Sequence, residues 1–252
     1  MDVRVLGLGE AGGSIAADLV AAGVEVHGFD PAVTSVPEGV VRAGDPVTAV
    51  AGGSVVLAAT TGATALAAAE SVLPGLGPDV VYADMNTTSP ALKRELAALV
   101  DGSGARFADV ALLGPVRGIG TPTLVSGTGA RAFAELLGPL GMPVVVVSER
   151  AGDAAQMKLL RSVFMKGLAA SAMESLDAAR AAGHEEWLEQ EIAGIIGKPF
   201  LERLLEGSER HAVRRVDEME AACELLVELG VEPRIARASA SLLSGLAEKT
   251  ID

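Results

Sequence analysis

The sequence predicts an α/β protein: a doubly wound parallel sheet in the N-terminal part, followed by an all-α C-terminal domain. Three observations carry that prediction. Short β-branched runs alternate with Ala-rich helical stretches up to about residue 148, and several of the runs are continuously apolar, as parallel strands covered on both faces are. Strand signals then disappear, and glycine-punctuated helical stretches fill the remainder. Half of the 252 residues are hydrophobic, enough for one large core or two modest ones.

Taken in order, the strand candidates are 3–8, 24–29, 55–60, 80–85, 106–112, 123–127 and 143–148. Helices over 12–22, 64–73, 89–100 and 130–138 lie between them, an alternation that implies βαβ crossovers. The helical part reads as 153–182, 185–196, 199–206, 209–229 and 233–248. Gly183, Gly197, Gly207 and Gly230 stand as C-cap residues there, with Pro199 and Pro233 just after two of the breaks. The expected boundary falls near 148–152, giving domains 1–150 and 151–252.

Charge and composition exclude several classes. A net charge of −13 without basic runs argues against nucleic acid and anionic membrane surfaces, and no apolar run approaches the length of a membrane span. The single cysteine, Cys223, sits at helical spacing among apolar neighbours and reads as a small core residue. With no leader pattern ahead of the first strand-like run, a reducing cytoplasm is the expected compartment. His27 and His184 have no metal-like partners, so no metal site is expected.

The first strand runs into Gly7-Leu8-Gly9-Glu10-Ala11-Gly12, a G-x-G-x-x-G opening a helix. Gly7 permits the tight turn, Gly9 lets backbone approach a pyrophosphate, and Gly12 lets helix and strand pack closely. The free N–H groups of the helix start would face phosphates. The next strand ends in Asp30, eighteen residues past Gly12, where an acceptor for a ribose diol belongs. This is the Rossmann pattern. A glycine turn without ligand and a methyltransferase loop are the competing readings. A carboxylate at Asp30 repels a 2′-phosphate, and Pro31 to Thr34 offer no arginine, so NAD is favoured over NADP. Arg42 reaching in from a loop would admit NADP as well.

Three later stretches lie where the nicotinamide end would fall: Ala83-Asp84-Met85-Asn86-Thr87-Thr88-Ser89-Pro90, Asp109-Val110-Ala111-Leu112-Leu113-Gly114-Pro115-Val116, and the helix AGDAAQMKLLRS with Lys158. In the first, Ser89 caps a helix with Pro90 at its first position, which an ordinary strand–turn–helix would also explain. Taken together these stretches resemble the β-hydroxyacid dehydrogenase family, which includes 3-hydroxyisobutyrate dehydrogenase and shares its architecture with 6-phosphogluconate dehydrogenase. ADMNTTSP is similar to the family's D-x-S-T-x-x-P loop, with Asn86 for serine and Thr87 for threonine. DVALLGPVRGIGTPTLVSG is similar to its D-A-P-V-S-G-G segment, with Leu113 replacing the serine and Pro115 one glycine. AGDAAQMKLLRS is similar to its G-x-G-x-x-x-K-x-x-N helix, with Arg161 at the asparagine. The chain is closer still to a shorter subgroup with a compact helical C-terminal domain, in which a segment like His211 to Met219 recurs.

The resemblance implies hydride transfer between a nicotinamide and a small β-hydroxyacid-like alcohol or carbonyl, with Lys158 as general acid/base. It places cofactor contacts at Gly7, Leu8, Gly9, Glu10, Ala11, Gly12, Asp30, Thr60, Thr61 and Asn86, and substrate contacts at Asn86, Thr87, Arg161, Leu113, Gly114, His211 and Arg215. The altered serine and asparagine positions imply a substrate unlike hydroxyisobutyrate, small and anionic. Burial against Met157, Met165 and Leu168, together with the like charge of Arg161, would lower the pKa of Lys158 toward neutrality. The resemblance also implies a homodimer formed through the helical domain, with the long helix 153–182 joining the domains and forming part of the interface.

Other residues divide between roles. Lys166, eight residues past Lys158, reads as structural or as cleft edge. His211, Arg214 and Arg215 read as a solvated charged face or an anion clamp. Trp187 reads as core or interface. Two further functions stay open: an imine reductase, and a non-catalytic dinucleotide-binding or redox-sensing module.

Overall fold

The protein is described here from a computed structural model covering residues 1–33 and 35–251, with side chains through 248; Thr34 lies outside the described residues. The chain divides into two compact units, Met1–Lys158 and Leu159–Asp252.

The first unit is built on eight strands: β1 (Asp2–Leu6), β2 (Glu25–Phe29), β3 (Val41–Arg42), β4 (Val55–Ala58), β5 (Val81–Asp84), β6 (Arg106–Leu112), β7 (Thr123–Ser126) and β8 (Val144–Ser148). Its helices are α1 (Glu10–Ala21), α2 (Pro46–Val50), α3 (Ala65–Val72), α4 (Pro90–Gly102) and α5 (Ala130–Leu137). The strand order is β3-β2-β1-β4-β5-β6-β7-β8, so the winding reverses between β1 and β4. Ligands of such sheets bind outside the carboxyl ends of the strands at that reversal.

Period-two alternation splits the strand side chains between two cores. Val3, Val5, Leu57, Val81 and Ala83 pack on one face with Ile15 and Leu19 of α1 and Phe133 and Leu137 of α5. Leu6, Val56, Tyr82 and Phe107 pack on the other with Val72 of α3 and Leu96 and Val100 of α4. Each fully buried Val, Leu or Phe contributes about 1.5–3 kcal/mol of transfer free energy, which is why the strands read as continuous apolar runs.

The expected parallel sheet is corrected at one strand. The sheet is not wholly parallel: β7 runs antiparallel to β6. The connection over 113–122 carries no helix, and a parallel return needs a crossover of about a dozen residues or more. β3 and α2 are further elements, too short to leave a periodic signal.

Thirty-residue α6 (Asp153–Ala182) begins in the first unit and continues into the second. The second unit adds α7 (Glu185–Ile196), α8 (Lys198–Arg210), α9 (Ala212–Glu228) and α10 (Arg234–Ile251). Leu159 of α6, Met219, Ala222 and Leu225 of α9, and Ala236 and Leu243 of α10 form its buried cluster. Gly183, Gly197 and Gly230 end helices with positive φ, as C-cap glycines do. Gly207 does not: α8 runs through it to Arg210, and His211 marks the next break. Trp187 is not core; it is 62% exposed.

Candidate active site

The loop after β1 meets each demand of a dinucleotide turn. Gly7 has φ +87°, and a Cβ there would collide with the Ala59 carbonyl oxygen at the end of β4. A Cβ on Gly12 would collide with the Gly7 carbonyl oxygen, so this glycine seats α1 against the turn. Gly9 differs. Its φ of −67° and ψ of −161° suit any residue, and a Cβ would meet nothing within 4 Å. Nothing in the fold asks for glycine there, whereas a phosphate approaching backbone does. Among the described residues no side chain caps α1, so its first N–H groups keep that capacity.

Asp30 is wired into the same turn. Its Oδ2 accepts from the Leu8 N–H at 2.8 Å, and its Oδ1 accepts from the N–H groups of Ala32 and Val33 at 2.8 and 3.0 Å. Partial burial pushes this carboxyl up, but the three N–H donors outweigh burial and hold it below its ordinary value, with Arg42 adding to the lowering. These groups fit a nicotinamide dinucleotide: a glycine with no internal reason, free helix-start amides, and an ionised acceptor beside them.

A second cluster lies at the carboxyl ends of β5 and β6. Ser89 caps α4, accepting from the Leu92 N–H, with Pro90 in its first turn. This fixes the loop carrying Asn86, Thr87 and Thr88. Asn86 Nδ2 donates to Asp84 Oδ1 at 2.5 Å and to Thr60 Oγ1 at 3.2 Å, joining the β5 loop to the end of β4. Lys158 Nζ donates to Thr87 Oγ1 at 2.6 Å. Asn86, Thr87, Asp109, Ala155 and Lys158 line one narrow crevice. Thr88 lines it too, and its buried hydroxyl has no hydrogen-bond partner among the described residues.

Beneath the crevice is a charged group that sequence reasoning missed. Lys93 of α4 is 1% exposed. Its ammonium contacts Asp84 Oδ2 at 2.6 Å and the Asp84 carbonyl at 2.9 Å, and lies 3.2 Å from Asp109 Oδ1. Burial lowers this ammonium, but the carboxylates of Asp84 and Asp109 outweigh burial and raise it above its ordinary value. A signal did exist. Lys93, Leu96, Ala97 and Val100 follow the i, i+3, i+4, i+7 pattern of a buried face.

The other expected residues are placed as follows. Leu113 and Gly114 stand in the β6–β7 connection and do not line the crevice. Thr61 caps a short 3-10 turn, its hydroxyl 2.9 Å from that of Thr64. Met157, expected to help bury the ammonium of Lys158, is 47% exposed. In the second unit Arg161 is exposed, His211 separates α8 from α9, and Arg215 Nη1 donates to Ser208 Oγ at 2.6 Å. Lys166 is structural in setting: it pairs with buried Glu218 at 2.9 Å, and Glu218 also accepts from Ser162. Burial lowers its ammonium despite Glu218, with Arg215 and Arg161 adding to the lowering.

Comparison with known proteins identifies the kind of domain the first unit is. The NAD binding domain of 6-phosphogluconate dehydrogenase matches residues 2–141, and a domain of unknown function (DUF1932) matches 179–246. The chain belongs to the β-hydroxyacid dehydrogenase family, its first part being an NAD binding domain of the 6-phosphogluconate dehydrogenase type. A probable 3-hydroxyisobutyrate dehydrogenase of Mycobacterium tuberculosis is 33% identical over 141 residues, which are 50% of this chain and 45% of that protein. The chain spans about half the length of the curated relatives it matches. A conserved hypothetical protein of Sinorhizobium meliloti is 28% identical with a TM-score of 0.75, over 97% of this chain and 87% of that one. The Mycobacterium tuberculosis 3-hydroxyisobutyrate dehydrogenase solved with L-serine shares the fold: TM-score 0.82 at 22% identity, over 98% of this chain and 94% of that one.

Proposed function

We propose that the chain is an NAD(P)-dependent oxidoreductase that moves a hydride between the nicotinamide and a small β-hydroxyacid-like alcohol or carbonyl, with Lys158 as general acid/base. The observation that carries this reading is the Lys158 Nζ–Thr87 Oγ1 hydrogen bond at 2.6 Å, in a crevice at the carboxyl ends of the strands and joined through Asn86 to Thr60. The nicotinamide, when bound, accepts or gives the hydride. The chain's own part is to hold that group on the Gly7–Gly12 turn and Asp30, and to move the hydroxyl proton at Lys158 Nζ. Thr87 fixes where that nitrogen stands, which proton transfer requires before any matching of pKa.

Asp30 supports NAD as the preferred cofactor, since its ionised carboxylate repels a 2′-phosphate and suits a diol. Arg161, exposed one turn beyond Lys158 on α6, is assigned the anionic group of the substrate. Met157, Leu160 and Phe164 recur along α6 with 42–69% exposure, which supports a homodimer formed through the helical part.

The reading is tested by a panel of β-hydroxyacids and hydroxyphosphonates offered with NAD and NADP and followed at 340 nm. Turnover of at least one acid, faster with NAD, is the expected result. Arg161→Asn should raise KM for that acid about tenfold or more and move the basic limb of the kcat/KM profile. Turnover only when a carbonyl is supplied with an amine would replace the alcohol reading by an imine reductase.

A further inference from the structure

Both partners of the Lys158–Thr87 hydrogen bond are anchored, and both anchors meet at Lys93. Thr87 follows Asn86, whose amide donates to Asp84 Oδ1. Lys158 stands on α6, whose first turn is held by Asp109: its Oδ2 accepts from the N–H groups of Gly152 and Ala155 at 3.1 and 3.0 Å. Ser126 Oγ donates to the same oxygen at 3.1 Å and accepts from the Ala154 N–H at 3.0 Å. Asp84 and Asp109 are register partners on β5 and β6, both fully buried. Two carboxylates side by side out of water repel each other strongly. The Lys93 ammonium lies against both.

We propose that Lys93 is a positioning residue for Lys158: one buried cation bridges Asp84 and Asp109, and through them holds the Thr87 loop and the start of α6 in the arrangement that joins Thr87 to Lys158. This rests on the reading of Lys158 as acid/base only for its catalytic meaning. The physical coupling stands or falls without it. A neutral side chain at 93 would leave two buried carboxylates side by side with no cation between them, and one of them would have to move. Asp84 would then no longer hold Asn86, or Asp109 no longer hold the start of α6. One of the two arms would be released.

The coupling is readable directly, because the chain holds five lysines. In 15N-labelled protein the side-chain ammonium signals are assigned by single Lys→Met variants. The Lys158 signal is then compared between wild type and Lys93→Met across pH. The expected result is loss of the distinct Lys158 signal, or its collapse onto that of exposed Lys198. Amide exchange should also rise about tenfold or more over 84–89 or over 150–156, the arm that is released, and stay unchanged over 2–6. A merely structural Lys93 would lower the melting temperature and leave the Lys158 signal of the folded molecules where it was, and that result overturns the proposal. Should Lys93→Met not fold, Lys93→Met/Asp84→Leu leaves a single carboxylate at Asp109 with its N–H and O–H donors and takes away the acceptor of Asn86. It should lose the Lys158 signal through the Thr87 arm alone, and retention there equally overturns the proposal. Loss of turnover in Lys158→Met belongs to the functional reading and is measured separately.

Discussion

Gly9 and Gly12 sit three residues apart in one loop, yet they answer to different forces. Gly12 is required by the fold, because a Cβ would meet the Gly7 carbonyl. Gly12→Ala should therefore cost on the order of 1–3 kcal/mol of stability in addition to cofactor affinity. Gly9 has open space. Gly9→Ala should stay within about 0.5 kcal/mol of wild type and lose dinucleotide affinity tenfold or more. Thermal melts with and without NADH separate the two. Asp30 carries a pH signature. Its folded pKa is depressed, so its N–H contacts stabilise the loop above the unfolded carboxylate value of about 4 and lose that contribution as pH falls through the lower folded value. The melting difference between wild type and Asp30→Asn should be full from pH 5 to 8 and shrink below about pH 4.

Elements differ in how far their sequences announce them. The glycine turn, the Ser89–Pro90 start of α4 and the extent of α6 were legible because each is fixed by residues within one or two turns of one another. The direction of β7 was not, because it depends on the missing helix in 113–122 rather than on β7 itself. Lys93 reads as an ordinary surface lysine until its i+3, i+4 and i+7 neighbours are seen to be apolar, and its partners lie on strands 9 and 16 residues away in sequence. The Ser162–Glu218–Lys166 group was hidden for the same reason: its members come from α6 and α9, more than fifty residues apart. A buried charge left without its partner costs about 3–5 kcal/mol. Glu218→Leu should thus destabilise strongly in chemical denaturation, and Lys166→Met added to it should recover part of that loss.

For the whole molecule, the fold class and the family followed from the order of motifs along the chain, while substrate and assembly depend on surfaces that spacing does not describe. Phe164 is 69% exposed and Ile195 81% exposed, both in the helical unit. Apolar side chains of that size are ordinary one at a time, but Met157, Leu160 and Phe164 form a stripe at i, i+3 and i+7 along α6. Phe164→Asp should convert a dimer to a monomer in analytical ultracentrifugation, with the helical content unchanged. A wild-type monomer at micromolar concentration contradicts the homodimer.

The central claim is that Lys158 moves the proton while the glycine turn and Asp30 hold the cofactor. It is tested most directly by single-turnover hydride transfer at 340 nm in Lys158→Met, alongside NADH affinity by nicotinamide fluorescence. A general acid/base contributes about 10²–10⁴-fold. The account predicts a loss of that size in the hydride step with NADH affinity within a factor of about three of wild type. A variant that transfers hydride at the wild-type rate would contradict it.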